Sequence, residues 1–276
     1  MAQDLLRGAA VMTKVLNTSN WREKLKQPDE TQAEPHIPFG YNILDYLIGG
    51  TPNKFGVRMC PGIPKARISI FSGRVGKTTL ALTVAASVIK QGGKVVFIGQ
   101  GNAFPFEYSS QIGIPQVSEF TWDKGKILDL KETYTENSFL LIATATPQEV
   151  FQAMYAAASM RADLIVCDPV VGHIAWSDFT PVLRDRIAKS GSAVILSVQR
   201  GEPEEVSRHF RFYCSLHLNL MPTAIKGQDQ EVLVEVVRCK VADSQGKQTK
   251  ITLRDGVGLI NDADPVPFTP LPHEDE

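Results

Sequence analysis

Cysteine is scarce and dispersed in this chain of 276 residues: Cys60, Cys167, Cys214 and Cys239 are the only four, and no CxxC occurs. That excludes a dense disulfide framework and the usual spacing of a zinc site, and it fits a reducing, cytoplasmic setting. Cys214 and His217 are three apart, which puts them on opposite faces of a strand. Long apolar runs are lacking too. No stretch approaches the roughly 18 apolar residues of a membrane helix, and no apolar leader with a cleavage site opens the sequence, so a soluble protein with no membrane partner is expected. A charge excess is also missing, since 29 Lys and Arg stand against 30 Asp and Glu for a net −1. Without a global field toward polyanions, any nucleic-acid contact has to be local. There is no internal repeat and no long low-complexity tract. What is plentiful is apolar side chain, 43% of residues, enough to bury one large core or two modest ones and to exclude disorder over most of the length.

Residues 1–34 are polar, with one helix-like run over 5–16 and then the charged, proline-punctuated stretch WREKLKQPDETQAEPHIP. They read as an N-terminal helical arm and linker. Leu5, Ala9, Met12 and Leu16 fall close to one helical stripe. Residues 35–261 read as the core. Short Val- and Ile-rich runs at 67–71, 94–98, 138–143, 163–167 and 193–198 alternate with helical periods at 77–91, 147–160 and 181–190. Strands apolar throughout and separated by helices predict an α/β fold with a mostly parallel central sheet flanked by helices. The last two helices each begin with Pro after Thr, a favourable cap and first-turn pairing. From Ser215 to Leu220 the period becomes two, and further strands over 231–241 and 248–253 predict antiparallel, half-exposed strands at the C-terminal side. Residues 262–276 are so rich in Pro and acidic side chains that a disordered acidic tail is expected.

The sharpest motif is Ser72, Gly73, Arg74, Val75, Gly76, Lys77, Thr78 and Thr79, set between the strand ISIF and an apolar-periodic helix. Such a turn gathers backbone N–H groups and a helix N-terminus on one spot, Lys77 adds positive charge, and Thr78 can ligate Mg²⁺. Phosphate binding is the expectation. A full GxxxxGK[ST] pattern needs glycine five positions before Gly76, where Phe71 stands; counted from Gly73, the loop is two residues short. The second motif is the apolar strand LIVCD, whose terminal Asp168 is placed to hold the Mg²⁺. Gln199 closes the strand AVILSV at the edge where open α/β sheets place ligands. Two readings of it stand: a sensor of the γ-phosphate, and a strand-end residue bonded to backbone.

The order of these motifs resembles the RecA/RadA recombinase ATPases, the bacterial branch most closely, from about Phe39 to Asn261. The resemblance is carried by GIPKARISIF, GKTTLALTVAA, KVVFIGQGNAF followed by Glu107 and Tyr108, DLIVCDPV, AVILSVQ, HFRFYCSLHLNL, EVLVEVVRCKVA and ITLRDGVGLIN. It implies an ATPase core in which Lys77 and Thr78 bind phosphates and Mg²⁺ and Asp168 is the Walker B carboxylate. It further implies that Tyr108 stacks on the adenine, and that Gln199 senses the nucleotide at the start of the second DNA-binding loop. Arg238 and Lys240 resemble paired basic residues that reach the γ-phosphate of ATP held by the neighbouring subunit, whereas a solvated, protected strand edge is their plainer reading. The N-terminal arm would pack on the next subunit, and the resemblance implies a homo-oligomer or filament that engages single-stranded DNA.

The departures are specific. Gly101 falls where the family has the Glu that polarises the attacking water, and Glu107 is the nearest carboxylate further along. Losing a positioned base removes about 10²- to 10⁴-fold in rate, so ATP binding without fast hydrolysis is expected. Both DNA-binding loops are short. PVVGHIAWSDFT follows Asp168, and RGEPEEVSRHFR follows Gln199, where Glu202, Glu204 and Glu205 offset Arg200, Arg208 and Arg211, with His209 adding charge when protonated. Trp176, Phe210 and Phe212 suit either base stacking or the core. The leading reading is an ATP-binding protein of recombination and DNA repair. The alternative is a catalytically weak or inactive accessory protein, for example a partner of a translesion polymerase, with Val266, Pro267 and Phe268 in the tail as a handle for a protein partner. A small-molecule kinase is weaker, because no Arg-rich lid is present.

Overall fold

The computed structural model describes residues 32–99, 104–114, 116–121, 138–144, 146–170, 176–198, 212–226, 229–254 and 257–260. The helix-like run at 5–16, Gly101, Gln199, most of both short loops and the acidic tail lie outside them.

In chain order the elements are β1 (His36–Ile37), α1 (Asn42–Gly49), β2 (Ile63–Pro64), β3 (Ile68–Gly73), α2 (Lys77–Lys90), β4 (Val95–Gly99) and α3 (Phe106–Ile112). There follow β5 (Val117–Thr121), β6 (Phe139–Ala143), α4 (Pro147–Ser159), β7 (Leu164–Val170), α5 (Trp176–Ser190) and β8 (Ala193–Val198). The chain closes with β9 (Leu216–Lys226), β10 (Asp229–Cys239), β11 (Gln248–Arg254) and β12 (Gly258–Ile260). Ten strands form one sheet in the order β12-β11-β10-β9-β3-β8-β7-β4-β6-β5. The seven from β9 to β5 are parallel neighbours, and β9 to β12 pair antiparallel. This is the mixed α/β architecture expected from the strand pattern, and it is RecA-like, as the resemblance implies.

Each of the five central apolar runs forms a strand, because a strand covered by helices on both faces has to be apolar at every position. On one face, α1 and α2 bury Leu44, Ile48, Leu80, Leu82 and Val84 against Phe71, Phe97 and Val166. On the other, α4 and α5 bury Val150, Met154, Leu183 and Ile187 against Ile70, Ile98 and Leu196. In β10, by contrast, Val232, Val234 and Val236 alternate with partly exposed residues, as a one-sided sheet requires.

Thr146 starts α4 as expected. Its side chain accepts from the Glu149 N–H at 3.3 Å while Glu149 accepts from the Thr146 N–H at 3.1 Å, a complete capping box. The Thr180–Pro181 pair does not play the same part: α5 begins at Trp176, and Pro181 lies inside it. That proline is the sixth residue of the helix, past the first-turn donors that have no intrahelical acceptor, so the helix forfeits one bond, from position 181 to the carbonyl of 177. The short α1 and α3, the edge strand β5 and the three-residue β12 have no counterpart in the sequence reading.

Candidate nucleotide-binding site

The parallel strands β3 and β7 end on the same side of the sheet with β8 between them, about 10 Å apart at ordinary strand spacing. Residues 74–76 lead from β3 into α2, whose first turn spans that gap. There the Thr78 hydroxyl donates to the Asp168 carboxylate, joining positions 90 residues apart in sequence. Lys77 folds back so that its Nζ donates to the Gly73 carbonyl at 2.8 Å. Burial lowers the Lys77 pKa, and the Asp168 charge offsets part of that effect. Lys77, Thr78 and Asp168, named from sequence as one site, are therefore brought together.

The two glycines of the motif do different work. Gly76 is the N-cap of α2 in the left-handed region, φ +75°, with no side-chain cap and no acidic residue in the first turn. The N–H groups of that turn have no intrahelical acceptor, and the positive end of the helix dipole is not neutralised by a carboxylate in the turn. Gly73, φ +109°, is demanded by the sheet instead. It pairs with Leu220 of β9, and a Cβ there would collide with the Leu220 carbonyl. The Arg74 N–H also donates to Leu220 O at 3.0 Å. The first loop amide is thus used by the sheet, which leaves the helix end as the place for an anion. Ser72 likewise turns to β9, its hydroxyl 2.8 Å from His217 Nε2. Arg74 is exposed and Val75 is half-buried against the core.

A cavity of about 1040 Å³ opens beside the helix end, lined by Gly76, Thr78 and Thr79, by Phe106, Glu107, Tyr108 and Gln111 of α3, and by Asp229, Leu253 and Arg254. Tyr108, named from the resemblance as the residue that stacks on adenine, is among these lining residues. Sequence reasoning missed Gly99: a Cβ on it would stand 2.7 Å from the Asp168 carbonyl, so glycine there lets β4 and β7 close up behind the carboxylate. It also missed the Asp229–Arg254 pair, whose only sequence trace is the RDG tripeptide.

Arg238 and Lys240 do not join this cavity. Asp229, at one end of β10, lines it; Arg238 is nine residues along the same strand, about 30 Å away. Arg238 pairs across the sheet with His217. Lys240 is exposed, and its Nζ donates to the Phe212 carbonyl at 2.8 Å. Partial burial, and then the neighbouring Arg238 charge, lower its pKa. Among the described residues no group of His, Cys, Asp and Glu could hold a metal by itself, and no helix is long and apolar enough to cross a membrane.

The fold is a RecA-like α/β core in which an uncapped helix N-terminus stands beside the Thr78–Asp168 pair. No family model matches the chain. Among curated proteins it is 29% identical over 227 residues to Protein RecA of Gloeobacter violaceus, covering 75% of this chain and 58% of the relative. It is 27% identical over 249 residues to Protein RecA of Geobacter sulfurreducens, covering 83% and 69%. It is 30% identical over 232 residues to Protein RecA of Gloeothece citriformis, covering 75% and 60%. The chain is a divergent relative of the RecA family, and it spans between 58% and 69% of the length of these three relatives.

Proposed function

We propose that the protein is a RecA-like ATP-binding protein of homologous recombination and DNA repair. It assembles with further copies so that ATP lies between subunits, and it binds single-stranded DNA. The observation that carries this reading is the first turn of α2: an uncapped helix N-terminus whose lysine lies over the loop and whose Thr78 meets Asp168.

In this mechanism the α2 amides receive the β- and γ-phosphates, and Lys77 moves from the Gly73 carbonyl onto them. Thr78 and Asp168 offer a hydroxyl and a carboxylate side by side, a hard-oxygen pair that fits Mg²⁺. When bound, the ion neutralises phosphate charge. Tyr108 faces the base. Arg238 and Lys240, remote from their own cavity, serve the nucleotide of the adjoining subunit, and Gln199 reports the nucleotide to the DNA loop. Gly101 in place of a carboxylate makes hydrolysis slow. That same substitution favours a second reading, an accessory protein that keeps nucleotide binding and assembly but not turnover and that docks a protein partner through its acidic tail.

Equilibrium dialysis with ATP and Mg²⁺, with and without single-stranded DNA, tests the proposal. Lys77→Ala removes a charge-assisted phosphate contact and is expected to weaken ATP about 10- to 100-fold. ATP-dependent filaments on single-stranded DNA support the recombinase. Nucleotide binding with neither DNA affinity nor turnover supports the accessory reading, and no nucleotide binding by the wild type refutes the ATP mechanism and leaves only a bare interaction scaffold.

A further inference from the structure

One wall of the cavity is built by the ends of β10 and β11, where Asp229 and Arg254 are cross-strand partners. Arg254 Nε donates to Asp229 Oδ1 at 2.6 Å and Nη2 to Oδ2 at 2.8 Å. Two parallel bonds fix the plane of a guanidinium as one bond cannot. Arg254 is also the register partner of Gly258 in β12, and the Val257 N–H closes the turn between them onto Arg254 O at 3.1 Å. Partners in an antiparallel pair project to the same face of the ribbon. At Gly258 that face looks onto α3: a Cβ there would lie 3.5 Å from the Tyr108 hydroxyl and 3.4 Å from Ile112. The Arg254 side chain therefore leaves the ribbon on the Tyr108 side, next to the place where α3 approaches Gly258. A flat aromatic ring and a flat, pinned cation border one cavity.

We propose that Arg254, held by Asp229, is a base-selecting residue: its guanidinium forms the second wall of a slot whose first wall is the Tyr108 ring, and the purine of a bound nucleotide enters between them. The inference rests on the nucleotide reading above and adds base recognition to it. A guanidinium face attracts a π system and stacks on it, whereas a lysine ammonium is a point charge with no face to stack. A purine, with two fused rings, covers such a slot more fully than a pyrimidine. Asp229 is a positioning residue that sets the plane of the cation without touching the base.

The test compares ATP, CTP and inorganic triphosphate by competition dialysis against the full-length wild type, Arg254→Ala, Arg254→Lys and Asp229→Asn. The expected result is that Arg254→Ala weakens ATP about tenfold, levels the preference of ATP over CTP and leaves inorganic triphosphate unchanged. Arg254→Lys behaves like the alanine variant, and Asp229→Asn falls between. Far-ultraviolet circular dichroism verifies folding, and the lysine variant, which keeps the ion pair with Asp229, serves if the alanine variant is unstable. Full ATP affinity in Arg254→Lys overturns the stacking role. Equal losses for ATP and triphosphate in Arg254→Ala also overturn it, since the charge would then act on the phosphates. A wild type that binds triphosphate as tightly as ATP overturns the slot while leaving the phosphate site standing, and a wild type that binds neither removes the nucleotide reading itself.

Discussion

Gly73→Ala separates two accounts of the glycine in the phosphate-loop motif. If the glycine served only the ligand, alanine would fold normally and bind poorly. The geometry says otherwise. At φ +109° a Cβ overlaps the Leu220 carbonyl oxygen and stands 2.7 Å from both Leu220 C and N, all of them backbone atoms of the neighbouring strand. Relief requires β9 to move away from β3 at its last pair, where the Arg74 N–H bond to Leu220 O is also made. The backbone strain costs about 1–3 kcal/mol, the overlap about 1–3 kcal/mol and the lost hydrogen bond about 1 kcal/mol. The sum is about 5 kcal/mol, a large share of the roughly 5–15 kcal/mol that holds a domain together. Gly191→Ala is the control. That glycine, φ +77°, ends α5 with nothing within 4 Å of a Cβ, so only the left-handed penalty of about 1–2 kcal/mol applies. Urea unfolding followed by circular dichroism should place Gly73→Ala about 3–4 kcal/mol below Gly191→Ala, by the same strain, overlap and hydrogen-bond costs. Equal losses would refute the assignment of Gly73 to the sheet.

Gly99→Ala pushes on the Asp168 carbonyl from 2.7 Å. It is expected to cost about 1–3 kcal/mol and to reduce Mg²⁺-dependent ATP binding more than Mg²⁺-independent binding, as read by dialysis with and without chelator. Asp45 is buried in α1, where its carboxylate accepts from the Phe39 N–H at 2.8 Å and the Gly40 N–H at 3.3 Å, yet burial outweighs these bonds and raises its pKa from 3.8 to about 6. The folded state therefore binds more protons than the unfolded state between these values, and stability falls as pH rises from about 4 to 6, by about 3 kcal/mol from this group. Urea midpoints of wild type and Asp45→Asn across that window should diverge in this direction; a constant difference would refute it.

The central strands, the helices between them and the candidacy of Lys77, Thr78 and Asp168 were legible in the linear sequence because each depends on local pattern. An apolar run bounded by turns declares a buried strand, and a GKT sequence after it declares a helix end. α1, α3 and β12 were not legible, since seven or eight residues, or three, carry too little periodicity to stand out. Neither was the start of α5, where a proline at the sixth helical position resembles one at the beginning. Register and strand order were decided only in three dimensions. The sheet alone sets Leu220 against Gly73, so that a glycine read as part of a phosphate cradle proves to be required by a neighbouring strand. It alone brings Asp229, Arg254 and Gly258 round to face Tyr108, more than a hundred residues upstream. Side-chain chemistry is written residue by residue, but which residues share one cavity is settled by long-range hydrogen-bond pairing and burial, to which local sequence is blind.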